Sequence, residues 1–388
     1  MNTKNIKGFS DFTGKEAGKR ERIKKIIQRQ FELYGFEPTE TPIIESLEFV
    51  QGDNVNDDAV RDVFKLTDRG KRELALRYEF TFQLKRLARL QKLPFKRYQI
   101  GYNFRDEPIR KGRTRQFIQC DADIVGSNVN DEAELLVIGK KIFDELKMPV
   151  KLYVNNRKLI NEILVAENIA EKNREAVIRE LDKLDKLSKK EVADNLKKYN
   201  AEKILKIFTG KESSFEKYSL YSEVKKLKEA VKIYGVDVEF RPYLARGFSY
   251  YTGSVFEVWS QELGVSLSGG GSYLINDVES CGISFGLEPI SLLCKIDGEA
   301  VEALIISLGQ EKVAIELAEK LRSDEIKVQT LLDKTIGKAL EYANAKEIEK
   351  VIFVGDEEVK TKKFKIKDMK SGDEKKVSAE KVVGFLKS

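Results

Sequence analysis

The chain has 388 residues, with 70 Lys or Arg, 64 Asp or Glu and no His, for a formal net charge of +6. That length divides into two or three domains with cores of their own, and the charge balance is compatible with nucleic acid without requiring it. The missing histidine excludes Ser-His-Asp and Cys-His nucleophiles and any His-held metal. Three cysteines, Cys120, Cys281 and Cys294, lack C-x-x-C spacing, so neither a disulfide framework nor a zinc site is expected.

No apolar run reaches membrane length, and the polar N-terminus has no signal-peptide core. The expected compartment is the cytoplasm, with no membrane partner.

In chain order, Glu16 to Tyr34 carries Ile23, Ile26, Ile27 and Phe31 near helical spacing and is closed by Gly35, which predicts a first long helix. The segment PTETPIIES follows, with Pro42 and Glu45, and Thr41-Pro42 alone reads only as an edge-strand proline. Next, LALRYEFTFQLKR places Arg77, Glu79 and Thr81 at alternate positions, on one face of a strand or at its end.

Tyr98 to Phe104 and Gln116 to Val125 alternate at period two around a loop rich in Arg and Lys, which predicts an antiparallel hairpin. Arg113 and Arg115 then fall in phase with Gln119, Asp121 and Asp123. Such a face can hold an anion at one end and a cationic, polar ligand at the other. Charged hairpins are also commonly just solvated, so spacing alone leaves both readings open.

Asp131 to Leu146 reads as a helix with an acidic start, and KLYVNNRKLINEIL as a strand running into a helix. From Asn168 to Tyr234 the texture is Lys/Glu/Leu-rich helix with i,i+4 pairing, and Val236 to Phe240 returns to strand. LARGFSYYTGSVFEVW, SLSGGGSY and SCGISFGLEPISLL follow, and from Glu302 strands and helices alternate, as in a small α/β domain.

These segments resemble, in order, the motifs of the histidyl-tRNA synthetase family of class II aminoacyl-tRNA synthetases. The carriers are Phe104-Arg105, Glu107, Gly112-Arg113, Arg115, Phe117, Gln119, Asp123 and Gly126 for motif 2, and Arg246 with Tyr250-Tyr251-Thr252-Gly253 for the histidine-specific segment. PTETPIIES, with Pro42 and Glu45, resembles motif 1, and SCGISFGLEPISLL resembles motif 3. The Lys/Glu/Leu-rich segment resembles the helical insertion of archaeal-type members.

The resemblance implies an α+β fold: a class II antiparallel sheet flanked by helices, a helical insertion and a C-terminal α/β anticodon-binding domain. Its expected bounds are 1–167 and 235–299 for the catalytic domain, 168–234 for the insertion and 300–388 for the last domain. It implies a ligase that activates histidine with ATP, Mg²⁺ accompanying it, and esterifies tRNA(His), working as a homodimer.

By the same resemblance, Arg105, Arg113 and Arg246 are catalytic, and Glu107 joins Arg105 and Arg113 at ATP. Histidine is bound by Glu79, Thr81, Gln119, Asp123, Tyr250 and Tyr251, while Arg110 touches tRNA. No metal ligands are implied.

Arginine suits such a site because its planar fork binds carboxylate or phosphate bidentately and stays charged. If the chain charges tRNA with histidine, its lack of histidine would free its own synthesis from its product.

The chain departs from the family pattern at Tyr78 (proline elsewhere), Ser249, Ser272 and Leu274. Pro289 stands where motif 3 has a phosphate-gripping arginine. Proline fits a helix's first turn, so the expectation is a preserved fold missing one phosphate contact, with Lys111 or Lys295 as charged substitutes. Two rivals remain: a catalytically silent paralogue, such as the histidine-sensing regulatory subunit of ATP phosphoribosyltransferase, and a module that only binds tRNA.

Overall fold

Local signals set where each element starts and stops. The computed structural model describes residues 3–52, 58–246, 250–262, 264–298 and 301–387, and the chain packs as two units, 1–11 with 22–296 and 12–21 with 297–388. The boundary expected at 299/300 and the variant Ser249 lie outside the described residues.

The first helix, Gly14–Leu33, stops where Gly35 adopts a φ of +76°, a left-handed turn open to glycine. Helix Val129–Glu145 starts two residues before the expected Asp131 because a capping box forms. Asn128 Oδ1 accepts from the Asn130 N–H and Asp131 accepts from the Asn128 N–H, each at 2.9 Å.

The strands of the larger unit are β1 (Glu37–Pro38), β2 (Ile44–Ser46), β3 (Lys65–Thr67), β4 (Glu73–Leu76), β5 (Phe95–Phe104), β6 (Gln116–Val125), β7 (Val150–Asn156), β8 (Glu239–Phe240), β9 (Tyr251–Ser260), β10 (Ser266–Ile275) and β11 (Val278–Gly286). Eight form one sheet in the order β1-β5-β6-β11-β10-β9-β7-β8, parallel only at β1/β5 and β7/β8. Strands β2, β4 and β3 make a separate small sheet.

The hairpin is the expected one, but β5 begins three residues early because Phe95, Lys96 and Arg97 pair with Val125, Ile124 and Asp123. Strand β8 is shorter than the expected Val236–Phe240, since only Glu239 and Phe240 reach the edge strand β7.

One face of the large sheet is apolar. Cys120, Ala122, Ile124, Phe256, Val258, Ile283 and Phe285 share a core with Leu135, Ile138 and Ile142 of helix Val129–Glu145. Burying each Ile or Phe is worth roughly 1.5–3 kcal/mol. A one-residue slip would turn this whole set toward the polar face, so packing fixes the register.

The helical stretch after Asn168 is not a free-standing lobe. Val177, Leu181, Leu196, Phe208, Phe215, Val224 and Leu227 are buried in that same core, and helix Tyr221–Ile233 packs on helix Val129–Glu145.

The second unit holds β12 (Ala303–Ser307), β13 (Val328–Leu331), β14 (Lys350–Val354), β15 (Lys363–Asp368) and β16 (Glu374–Ser378), ordered β13-β12-β14-β15-β16. Strand β12 is buried along its whole length, as its continuous apolar run requires of a central parallel strand.

Strand β16 was not legible, because EKKVS carries a single apolar residue. With it, β15 is paired on both sides, so the alternating lysines of β15 do not lie on a sheet edge. Lys365 and Lys367 each lie 3.5 Å from Glu374, and Lys370 pairs with Glu349. Among the described residues no helix is long and apolar enough to cross a membrane.

Candidate active site

The polar face of the sheet gathers the chemistry by register alone. Asp121 faces Ser284 across β6/β11, Ser284 faces Gly269, and Gly269 faces Glu257. One step along, Arg97 faces Asp123, which faces Gly282.

Above these rows a cavity is lined by Glu79, Thr81, Arg105, Gln119, Asp121, Asp123, Arg246, Tyr250, Tyr251, Gly269, Tyr273, Gly282, Ile283 and Ser284. A larger groove around Lys140, Lys151 and Glu239 contains none of the expected site residues.

Glu79 and Thr81 lie just beyond the end of β4, and Arg77 fixes that turn. Its guanidinium donates to the Thr41 carbonyl at 2.7 Å and to the Tyr102 carbonyl at 2.9 Å. This ties the Thr41–Pro42 segment to β5. Glu79 accepts from the Tyr250 hydroxyl at 3.3 Å. Burial pushes its carboxyl up to about 7, with Arg105 opposing the shift.

Gln119 is oriented on both ends of its amide. Its Oε1 accepts from Asn103 Nδ2 at 2.8 Å, and its Nε2 donates to Ser284 Oγ at 2.7 Å. Ser284 in turn donates to Asp121 at 2.5 Å. Burial and the neighbouring Asp123 push Asp121 up to about 8.

Asp123 is buried and raised by that burial, while Arg97 at 2.8 Å opposes the shift. The Tyr273 hydroxyl donates to it as well. Gly282 is required here, because a Cβ would overlap the Asp123 carboxylate.

At the other end Arg105 donates Nε to the Tyr78 carbonyl at 3.1 Å and lies over the Phe117 ring. Arg246 pairs with Glu257, which also accepts from Trp259 Nε1 at 2.5 Å. Its Nε is buried without a hydrogen-bond partner among the described residues. Gly269 makes room for this guanidinium, since a Cβ there would overlap it.

Two guanidinium groups therefore face a cluster of carboxylates and tyrosines inside one enclosure. That arrangement can seat an ammonium beside an anion.

The sequence profile of the family described as histidyl-tRNA synthetase matches residues 8–290, and that of an anticodon binding domain matches residues 302–388. The chain belongs to the histidyl-tRNA synthetase family.

Histidine–tRNA ligase 1 of Bacillus anthracis is 33% identical over the full length of both chains. Histidine–tRNA ligase of Christiangramia forsetii is 32% identical over 98% of each. Among solved structures, a histidyl-tRNA synthetase from Nostoc sp. PCC 7120 superposes with a TM-score of 0.86 at 26% identity, covering 100% of this chain and 99% of that one. An ATP phosphoribosyltransferase regulatory subunit/histidyl-tRNA synthetase from Bacillus halodurans shares the fold, with a TM-score of 0.78 at 20% identity, over 90% and 98%.

Not every residue expected from the histidyl-tRNA synthetase resemblance reaches the cavity. Arg113 is exposed on the β5–β6 loop and pairs with Glu107 at 3.4 Å. Arg110 is exposed on the same loop, bridged by backbone to Arg113. Neither these three nor Lys111 line the enclosure.

Lys295 lies 3.6 Å from Glu262 on the surface and does not line the enclosure either. Pro289 occupies the first turn of helix Leu287–Leu293, as its position allows. The preceding Glu288 accepts from the Ile118 N–H at 3.1 and 3.2 Å.

No site role was expected for Tyr273, Ser284, Glu257 and Arg97, which join the site only through strand register. Asp121 had a usable signal, its phase with Gln119 and Asp123.

Proposed function

We propose that this chain activates histidine with ATP and transfers it to the 3′ end of tRNA(His). The observation that carries the reading is the single enclosure containing Arg105 and Arg246 together with Glu79, Gln119, Asp121 and Asp123.

In the first step the histidine carboxylate attacks the α-phosphate of ATP, and pyrophosphate leaves. Negative charge gathers where the two anions meet, so fixed cations are the main requirement. Arg105 and Arg246 supply them. The unpartnered Nε of Arg246 is a donor awaiting an acceptor.

Glu79, Thr81 and Gln119 take the α-ammonium. Asp123, Tyr250 and Tyr251 shape the imidazole end. With Asp123 already held by Arg97 and Tyr273, that end is stiff before substrate arrives. In the second step the terminal ribose hydroxyl attacks the carbonyl and AMP leaves. No enzyme histidine exists to take the proton, so a phosphate oxygen of the adenylate accepts it.

Arg113 and Glu107 serve ATP once the loop turns inward and their mutual pair opens, and Arg110 on the same loop meets the tRNA acceptor end. Magnesium travels with the triphosphate. No three His, Cys, Asp or Glu side chains among the described residues are grouped to hold a metal, and such an ion takes its oxygens mainly from phosphate and water.

Residues 1–167 and 235–299 form the catalytic domain, 168–234 the insertion and 300–388 the anticodon-binding domain. The chain works in the cytoplasm as a homodimer. Exposed Ile43 and Ile44 within the motif 1 segment, at 43% and 49% exposure, supply apolar surface for the second copy.

Histidine-dependent ATP–pyrophosphate exchange tests the proposal. Histidine binding without exchange would mark a silent paralogue, and salt-sensitive tRNA binding without exchange a binding module.

A further inference from the structure

We infer that Asp182, from the helical insertion, is a positioning residue that holds the catalytic Arg246 in place. This rests on the proposed role of Arg246 and extends it to a part of the chain that carries no assigned chemistry.

Arg246 has a φ of +64°, a left-handed backbone that a non-glycine residue keeps only when its surroundings impose it. The imposing contacts can be named. Asp182 Oδ1 accepts from the backbone N–H of Ala245 at 3.1 Å and from that of Arg246 at 3.2 Å. One carboxylate oxygen therefore grips two successive amides at the site of the unusual backbone.

The other side of the same residue is held too. Arg157 Nη1 donates to the Ala245 carbonyl at 3.4 Å. Arg157 is itself fixed by Glu175, whose two carboxylate oxygens accept at 2.8 and 3.0 Å. Just upstream, Asn155 Nδ2 donates to the Leu244 carbonyl at 2.9 Å and to the Pro242 carbonyl at 2.6 Å.

Glu175 lies on helix Glu171–Leu181, and Asp182 opens the 3₁₀ turn that continues it. One stretch of the insertion thus holds the amide edge of the Ala245–Arg246 backbone directly through Asp182, and its carbonyl edge indirectly, through the Glu175–Arg157 pair. The guanidinium end is anchored separately, by Glu257. With both ends defined, the arginine reaches the cavity in one orientation, which electrostatic catalysis demands.

The test uses the full chain in histidine-dependent ATP–pyrophosphate exchange, with thermal unfolding to verify the fold. Asp182→Ala is expected to lower kcat by about 100-fold, the scale of a 1 Å misplacement, with KM for histidine changed by no more than about twofold. Asp182→Asn keeps an acceptor oxygen and is expected to recover most of the rate. Added to Arg246→Ala, Asp182→Ala is expected to change nothing, because it acts through that arginine.

Should Asp182→Ala not fold, Glu175→Gln, at a more exposed position, loosens the companion hold that Arg157 keeps on the Ala245 carbonyl of the same backbone and is expected to shift kcat in the same direction. Wild-type kcat in a folded Asp182→Ala or in Glu175→Gln, no recovery by Asp182→Asn, or additive loss in the double variant would each overturn the inference. Exchange unaffected by Arg246→Ala would overturn it as well.

If the wild-type chain shows no exchange at all, the activation reading fails on its own. The grip is then read by hydrogen exchange at the Ala245 and Arg246 amides. Slow exchange that becomes fast in Asp182→Ala and stays slow in Asp182→Asn supports it, and the same exchange rate in wild type and Asp182→Ala refutes it.

Discussion

Arg97 and Asp123 are both buried and lie 2.8 Å apart, an ion pair whose carboxylate lines the cavity. Removing one partner of such a pair leaves a buried charge uncompensated, at a cost of about 3–5 kcal/mol. Arg97→Met is therefore expected to be strongly destabilised in urea unfolding. A loss below about 1 kcal/mol would mean that Asp123 simply takes up a proton instead.

Substrate recognition is expected to fail selectively in Glu79→Gln and Gln119→Ala. Glu79→Gln removes the charge proposed to face the α-ammonium, and Gln119→Ala the hydrogen bond proposed to it. Such a charge-assisted contact is worth about 1.5–3 kcal/mol, or roughly 10- to 150-fold in affinity. Titration calorimetry with histidine reads this directly. Unchanged affinity in both variants would remove these residues from the site.

Stability and binding are expected to respond to pH in opposite senses. An unfolded carboxyl titrates near 4, whereas Glu79 and Asp121 are raised to about 7 and about 8. The native state binds more protons between those limits, so the free protein loses stability as pH rises from about 4 to about 8 and levels off above. Histidine brings an ammonium that favours the ionised carboxylates and expels their protons. Its affinity is expected to rise between pH 7 and 8, above the titration of free imidazole, by up to about tenfold per proton released. Calorimetry in buffers of differing ionisation enthalpy counts those protons, and proton uptake would contradict the assignment.

Arg113→Ala separates the two ends of the site. An exposed pair such as Arg113–Glu107 contributes about 0–1 kcal/mol, so the melting temperature and histidine affinity are expected to stay near those of the wild type. KM for ATP in pyrophosphate exchange is expected to rise. An unchanged KM for ATP would leave the loop arginine without a part in activation.

Gly282→Ala places a methyl group against the Asp123 carboxylate and the Tyr273 hydroxyl. Overpacking of this kind costs about 1–3 kcal/mol, and here it falls on the imidazole end. A folded variant with weakened histidine binding is the expected result, measured by thermal unfolding and calorimetry together.

Much of this was readable from residues alone, because period-two alternation fixes which side chains share a sheet face. Strand Gln116–Val125 and the grouping of Gln119, Asp121 and Asp123 followed from it. What alternation cannot convey is which strand lies next to which, so Tyr273, Ser284 and Glu257 emerged only with the register of β9, β10 and β11.

Loop direction is equally silent in sequence. Arg113 was grouped with Arg105, yet it points to Glu107 outside the enclosure. Strand β16 was silent for a further reason: it has too few apolar residues to announce itself.

The cavity draws one wall from β6 and another from β9, β10 and β11, and the helices between residues 168 and 234 are threaded between them in the chain. A growing polypeptide thus reaches its last strands before it can grip an amino acid at all. With histidine bound there as proposed, substrate affinity would report finished assembly, and free histidine would add stability only to chains whose sheet has closed.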